Sequence, residues 1–241
     1  MRVPAVISLI VLLLGGAVTA EDNQLTEQEI KAGWILLFDG KTLDGWMTSD
    51  QKQSQRAVEQ ESINPHRCGH YMMVHEKTWH SFVLRLDFKI SPGCNSGVFF
   101  RTSSLEPQPG KDVGFNGLEI AIDDTTGAGY HDTGAIYDLV KPSENRMKTA
   151  GQWNQLELRC RGNKIRVAIN GGMVARMNCR EFNQPHLRPD GSSHKFPICY
   201  SEHPETGYIG LQDHGSDCWF KNIRLRVLRP SPRGLAPPIG N

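Results

Sequence analysis

The segment Gly207–Leu228, with the sequence GYIGLQDHGSDCWFKNIRLRVL, decides the fold of this chain. Successive side chains of a β-strand point to opposite faces of a sheet, so we expect Ile209 and Leu211 on the buried face and Gln212 on the other. A polar break follows and would present an amide, a carboxylate and an imidazole on a loop, which is where rigid β-scaffolds commonly carry function. The break consists of Gln212, Asp213, His214 and Gly215.

The alternation resumes after the break. Ile223, Leu225 and Val227 are expected on the core face, with Arg224 and Arg226 directed toward water. This pattern predicts a half-buried strand.

Further segments have strand patterns, and the connections between them have the composition of turns. The clearest is Phe82–Ile90, in which every second residue is apolar and expected in the core. Hairpin turns are indicated at Arg161-Gly162-Asn163 and Asn170-Gly171-Gly172. Because no helical period extends beyond a few turns, we predict an all-β fold, a two-sheet jelly-roll sandwich. The other predicted strands are Trp34–Phe38, Val98–Arg101, Leu118–Asp123, Trp153–Cys160, Lys164–Asn170 and Met173–Met177.

Both ends of the chain are expected to lie outside the jelly roll. Residues 1–20 combine Arg2, an apolar run and the small residues Val18-Thr19-Ala20, which indicates a signal peptide. The run is shorter than the about 20 residues of a membrane span. Residues 21–32 are predicted as a polar segment with a turn or two of helix, residues 33–228 as the domain, and residues 229–241 as a Pro-rich tail. We expect an exported protein, periplasmic or extracellular, with no transmembrane segment after cleavage.

The charge balance gives no indication of a nucleic-acid partner. The chain has 27 Lys and Arg against 26 Asp and Glu, and no basic cluster or basic helix. Six cysteines in an exported chain permit up to three disulfides. Their spacing is not that of a structural zinc site.

Six motifs occur in one order along the chain. They are GWILLFDGKTLDGW (Gly33–Trp46), SPGCNSGVFFRT (Ser91–Thr102), GLEIAIDD (Gly117–Asp124), TGAIYDLVKPSEN (Thr133–Asn145), GQWNQLELRCRGNKIRVAINGG (Gly151–Gly172) and the Gly207–Leu228 segment. Together they resemble the 3-keto-disaccharide hydrolase family, also described as 3-keto-α-glucoside 1,2-lyase/3-keto-2-hydroxy-glucal hydratase. The resemblance implies a concanavalin A-like lectin/glucanase jelly roll with a sugar-binding face.

Two regions depart from the family pattern and could reshape the pocket. One is QESINPHRCGHYMMVHEKTW (Gln60–Trp79), and the other is an added loop at Arg180–Thr206. The first contains His66, His70 and His75, whose spacing fits no known metal-binding element, so we interpret them as surface-loop residues.

The resemblance implies a carbohydrate substrate, a glycoside whose C3 hydroxyl has been oxidised to a ketone. The ketone acidifies the C2 proton, so a base can remove it, after which the C1 group leaves and water adds. Such a site needs a base, an electrophile for the enolate oxygen and an acid for the leaving group. The sequence identifies no cofactor; a divalent metal ion could serve as the electrophile, as could Arg or His.

Glu119 is the first candidate for the base or a metal ligand. On Leu118–Asp123 the alternate apolar residues face the core, which leaves Glu119 and Asp123 on the opposite face about 13 Å apart. Glycosidases of the two-carboxylate type need about 5 to 9.5 Å. This strand alone therefore does not supply such a pair, unless Asp213 or Asp124 partners Glu119. The plain interpretation is a solvated carboxylate.

Other polar residues are candidates for the same site. Arg101 could bind a sugar oxygen or the enolate, or form a salt bridge with Glu119. His131 could act as acid, base or ligand, or be plain surface, and Tyr137 could bind sugar or pack. Asp213 and His214 could form a base with its orienting carboxylate, or only cap the turn. Asp123 and Gln212 complete the predicted substrate-binding set.

Two other functions on the same fold remain open at this point. The chain could be a non-catalytic carbohydrate-binding module or a conventional glycoside hydrolase, since fold does not fix function. Tryptophan side chains are expected mainly in the core, with at most one stacking on sugar.

Overall fold

The computed structural model of the chain describes residues 21–229. The predicted signal peptide at residues 1–20 lies outside the described residues, as does nearly all of the predicted Pro-rich tail. A short helix α1 (Glu27–Lys31) precedes the sheets, where the polar segment predicts helical turns. It begins at a capping box, because Thr26 Oγ1 accepts a hydrogen bond from Glu29 N at 3.1 Å and Glu29 Oε2 accepts one from Thr26 N at 3.0 Å. Within residues 21–229 no helix is long and apolar enough to cross a membrane.

Two antiparallel sheets form the body of the protein, which confirms the predicted jelly-roll sandwich. The six-stranded sheet has the order β1-β11-β4-β7-β8-β9, and the five-stranded sheet has the order β2-β3-β10-β5-β6. The strands are β1 (Trp34–Leu36), β2 (Trp46–Thr48), β3 (Met72–His75), β4 (Phe82–Ile90), β5 (Asn95–Thr102), β6 (Leu118–Asp123), β7 (Asn154–Arg161), β8 (Lys164–Ile169), β9 (Gly172–Asn178), β10 (Tyr208–Gln212) and β11 (Cys218–Val227).

The core lies between the two sheets and follows the predicted alternation. The five alternating residues of β4, from Phe82 to Ile90, are each at most 1% exposed. Ile223 and Leu225 of β11 are fully buried, whereas Val227 is 53% exposed. The expectation for Val227 was wrong because the strand ends there, at the margin of the core.

The Gln60–Trp79 region contains a strand that the sequence pattern does not reveal. Every residue of β3 (Met72–His75) is buried. Met73 packs in the core between the sheets, and Met72 and Val74 pack in a second apolar cluster on the opposite face. No alternation is visible in a strand that is covered on both faces. His75 is therefore not a surface residue: its ring packs against Trp46 and Trp79, and burial lowers its pKa.

The cysteines are thiols throughout the structure. Five of the six are buried, and Cys199 is half-buried. They contribute to the interior as small apolar groups.

The segment Gly134–Tyr137 covers the free edge of the five-stranded sheet. Gly134 N donates to Ala121 O at 3.0 Å, and Tyr137 N donates to Glu119 O at 2.9 Å. These bonds satisfy the outer edge of β6 and fix the position of the Tyr137 side chain. Gly134 has a φ of +90°, and a Cβ added there would lie 2.9 Å from Val174 Cγ2.

Gly134→Ala should therefore destabilise the protein by about 2–4 kcal/mol, from backbone strain together with overpacking. Gly93→Ala is the matched control, because its φ is +71° but nothing lies within 4 Å of the added Cβ. Strain alone should cost this variant about 1–2 kcal/mol. Urea unfolding measures both, and equal losses would contradict the packing of Gly134 against Val174.

Candidate active site

A cleft of about 160 Å³ lies over the outer face of the five-stranded sheet. Its floor comes from β5, β6 and β10. Its walls come from Tyr71 before β3, from His214 after β10, and from three long loops, residues 103–117, 124–153 and 179–207. It is smaller than the ~300–1,000 Å³ typical of pockets for drug-sized ligands. The lining residues are Tyr71, Asn95, Asp112, Phe115, Glu119, Tyr137, Lys195, Gln212 and His214.

The Glu119 side chain lies across the neighbouring strand β5. In the β5–β6 register Gly97 pairs with Ala121, two residues from Glu119. A Cβ added to Gly97 would lie 2.8 Å from both Cγ and Cδ of Glu119. The glycine therefore makes the space in which the carboxyl group lies flat on the sheet.

This position takes the half-buried Glu119 carboxyl group partly out of water without replacing the lost hydrogen bonds. No side chain or amide of residues 21–229 donates a hydrogen bond to it, and none of their cations lies within 4 Å. Burial raises the pKa of Glu119 to about 8, and the positive charge of Lys195 acts in the opposite direction. The carboxyl group is therefore less solvated than that of an ordinary exposed glutamate, and it can take up or release a proton near neutral pH.

Tyr71 and Gln212 form a hydrogen-bonded pair beside Glu119. Gln212, which is 4% exposed, donates from Nε2 to the Tyr71 hydroxyl at 3.0 Å. Burial, and next the charge of Glu119, raise the pKa of Tyr71, so its hydroxyl stays protonated. Since the oxygen accepts from Gln212, the Tyr71 proton is free to be donated to another group.

Tyr137 forms another wall and connects His131 to the cleft. The two rings stack with centroids 4.6 Å apart. His131 is largely exposed, with Nε2 3.7 Å from Asp138 Oδ1, and lies behind Tyr137 rather than on the floor. The structure thus brings Tyr137 to Glu119 and leaves His131 at the rim.

Asp213 and His214 do not form the pair that was considered. Asp213 Oδ1 lies 3.2 Å from His66 Nδ1 and accepts from Gly215 N at 3.0 Å, while Oδ2 accepts from Arg67 N at 2.8 Å. Asp213 therefore caps its own turn and holds the loop before β3, which contains His66 and Arg67. His214 is exposed and lines the cleft alone.

Arg101 was expected in the cleft and lies instead in the interior. It is 1% exposed, with a left-handed φ of +53°, and its guanidinium donates to Gly162 O and to Cys179 Sγ. The bend in β5 at Arg101 turns the side chain inward, so it neither lines the cleft nor pairs with Glu119. Asp123 does share the face of Glu119, at the far end of β6, but it does not line the cleft.

Other features of the described chain are weaker candidates for the reaction centre. A larger cavity of about 360 Å³ crosses the six-stranded sheet, but its Arg85 and Glu157 neutralise each other at 2.7 Å. None of the five tryptophans, all within residues 21–229, lines the Glu119 cleft. Residues 21–229 also contain no group of three or more His, Cys, Asp or Glu side chains placed to hold a metal ion.

Five residues of the cleft were not found from the sequence. Tyr71 is hidden at the start of a strand without alternation, and Asn95 was assigned to a turn although it begins β5. Lys195 comes from the added loop, about 75 residues from Glu119 in the chain. Only tertiary contacts bring them together. The other two are Asp112 and Phe115.

Comparison with known proteins gives matches over most of the chain. The model of the family described as "3-keto-alpha-glucoside-1,2-lyase-like domain" matches residues 33–226. A 3-keto-disaccharide hydrolase of Bacteroides thetaiotaomicron is 25% identical to this chain. The match spans 81% of this chain and 79% of the relative.

Solved structures from Parabacteroides distasonis are similar in fold. One protein, provisionally named a glycosyl hydrolase, is 30% identical with a TM-score of 0.66, over 81% of this chain and 99% of its own. A second with the same provisional name is 24% identical with a TM-score of 0.72, over 87% of this chain and all of its own. Because the family model covers far more than half of the sequence, this chain belongs to the family of 3-keto-alpha-glucoside-1,2-lyase-like domains.

Proposed function

We propose that this protein is an exported enzyme that cleaves 3-keto-glycosides by elimination and hydration, with Glu119 as the base. The observation that carries the proposal is the half-buried carboxyl group of Glu119 on the floor of the cleft, whose pKa is raised to about 8. The name of the Bacteroides relative supports the substrate class. Export rests on the predicted signal peptide, and N-terminal sequencing of periplasmic protein should give Glu21 as the first residue.

The reaction follows from the chemistry of a C3 ketone. The Glu119 carboxylate takes the C2 proton, and the C–H electron pair forms a C2=C3 enolate with its charge on the ketone oxygen. When the enolate collapses, a C1=C2 double bond forms and the C1 oxygen leaves with a proton from protonated Glu119 or from His214. Water then adds across C1=C2. The net products are a 3-keto sugar and the free leaving group.

The pKa of Glu119 suits this role. Removal of a weakly acidic carbon-bound proton needs a base stronger than an ordinary carboxylate, and a pKa near the working pH is the most effective. At pH 7 about one Glu119 in ten is ionised, and this fraction rises as the pH approaches 8. The rate should therefore increase with pH through this range.

Conventional glycoside hydrolysis remains a second candidate because of Asp112. It lines the same cleft and would be the second carboxylate of an acid–base pair with Glu119. The elimination route needs no second carboxylate, so the two candidates make different demands on Asp112.

Glu119→Gln should lower kcat/KM on 3-keto-trehalose or 3-keto-sucrose by about 10²–10⁴-fold, because the amide cannot accept the C2 proton. Asp112→Asn, the matched carboxylate control, should stay within about threefold of the parent protein. In D₂O the 3-keto sugar should carry deuterium at C2, which direct displacement at C1 does not introduce. If the parent protein cleaves unoxidised glycoside and both variants lose that activity, the protein is a conventional hydrolase. If it binds sugar without turnover, it is a sugar-binding module.

Glu119→Gln should also make stability less dependent on pH. The pKa of Glu119 is about 8 in the folded protein against 4.5 for the ordinary group, so the folded state binds the extra proton between these values. The free energy of unfolding of the parent protein should therefore fall as the pH rises from 4.5 to about 8, and the glutamine variant should not show this fall. We expect the variant to be more stable by about 2–4 kcal/mol at pH 9 and equal at pH 4. Urea unfolding at both values measures this, and a constant difference would contradict burial of the charge.

A further inference from the structure

The ammonium group of Lys195 is held over the cleft by aromatic rings. Its Nζ lies 4.1 Å from the ring centroid of Tyr137 and 5.4 Å from those of Phe115 and Phe196. At such distances the negative faces of the rings attract a cation. Across the cleft, the positive charge of Lys195 lowers the pKa of Glu119.

The hydrogen-bond donors of this ammonium group are not used within the described chain. No carboxylate of residues 21–229 lies within 4 Å of Lys195 Nζ, and no acceptor among them takes a hydrogen bond from it. An ammonium group has three N–H donors. Lys195 is exposed, so these donors meet water in the free protein, and a ligand bound in the cleft would replace that water.

The backbone of Lys195 is anchored to a second loop. Asp138 Oδ2 accepts a hydrogen bond from Lys195 N at 2.7 Å, and Asp138 Oδ1 accepts one from Arg188 Nη2 at 2.6 Å. Arg188 is 7% exposed and its guanidinium lies 3.8 Å from the ring centroid of Tyr130. Because Arg188 belongs to the same loop as Lys195, the loop is attached at two points to one carboxylate.

We infer that Lys195 is the electrophile of the reaction, donating a hydrogen bond to the ketone oxygen as the enolate forms. The inference rests on the elimination proposed above. Glu119 takes the C2 proton, the C–H electron pair moves to the C3 oxygen, and the ammonium charge stabilises the resulting enolate. Fixed donors aimed at developing charge, where water is excluded, give large rate effects. Asp138 is a positioning residue that acts through Lys195.

The test compares Lys195→Met with the matched control Lys111→Met. Lys111 Nζ also contacts Phe115, 4.9 Å from its ring centroid, but Lys111 does not line the cleft. The kcat/KM on 3-keto-trehalose is measured from pH 6 to pH 10, together with exchange of the C2 proton in D₂O. Lys195→Met should lower the high-pH plateau and the exchange rate by about 10²–10³-fold, whereas Lys111→Met should change neither.

The pH profile separates an electrophile from a charge that merely tunes Glu119. The rate rises with pH as Glu119 ionises, and this rising part of the profile is the Glu119 limb. Loss of the lysine charge should move the Glu119 limb to higher pH in either case. If Lys195 only tunes Glu119, however, the rate should recover fully at pH values above that limb. Full recovery would overturn the inference, and so would a normal exchange rate. Lys195→Arg, which keeps a charged donor, should regain part of the lost rate, and this variant serves if the methionine variant unfolds.

Asp138→Asn tests the positioning role. It should lower the plateau and move the Glu119 limb upward, as Lys195→Met does. The double variant Asp138→Asn/Lys195→Met should be no slower than Lys195→Met, because both changes remove the same interaction, that of the Lys195 ammonium group with the ketone oxygen. Additive losses would contradict the assignment. If the parent protein cleaves 3-keto-glycosides and Glu119→Gln does not, failure of the Lys195 tests rejects this inference alone; no cleavage by the parent rejects the proposed function.

Discussion

The candidate site depends on one uncompensated desolvation. The carboxyl group of Glu119 lies across Gly97, where it is partly shielded from water and receives no hydrogen bond from the described chain. A buried carboxylate normally pairs with a cation or with several donors, and here neither is present at contact distance. The cost of this arrangement falls on the ionised form, so the same feature that weakens folding at high pH makes the group a stronger base.

The sandwich supplies a rigid floor and walls that narrow the access of water to the base. Three strands of the five-stranded sheet fix Glu119 and Gln212 through backbone pairing. The walls come from loops, of which one carries Tyr137 and another Lys195, and Asp138 connects these two. A division between rigid strands and variable loops allows one fold to accept different substrates.

Sequence alternation predicted the fold well because most strands bury one face only. It failed for Met72–His75, which is covered on both faces, and at Val227, where the strand runs past the core. For the site, Glu119, Tyr137, Gln212 and His214 were predicted and lie together. Arg101 was misplaced because a left-handed residue reverses its direction, which the residue type does not indicate. Lys195 could not be found, because its position depends on contacts between two distant loops.

The ionisation of Glu119 is the central claim, and it can be observed without substrate. Carbon-13 NMR of protein labelled at the glutamate side-chain carboxyl carbon, with Glu119→Gln to assign the signal, follows this group directly across pH. The structure predicts a midpoint at about pH 8. A midpoint near the ordinary glutamate value of about 4.3 would show a solvated carboxylate and contradict the account of this site.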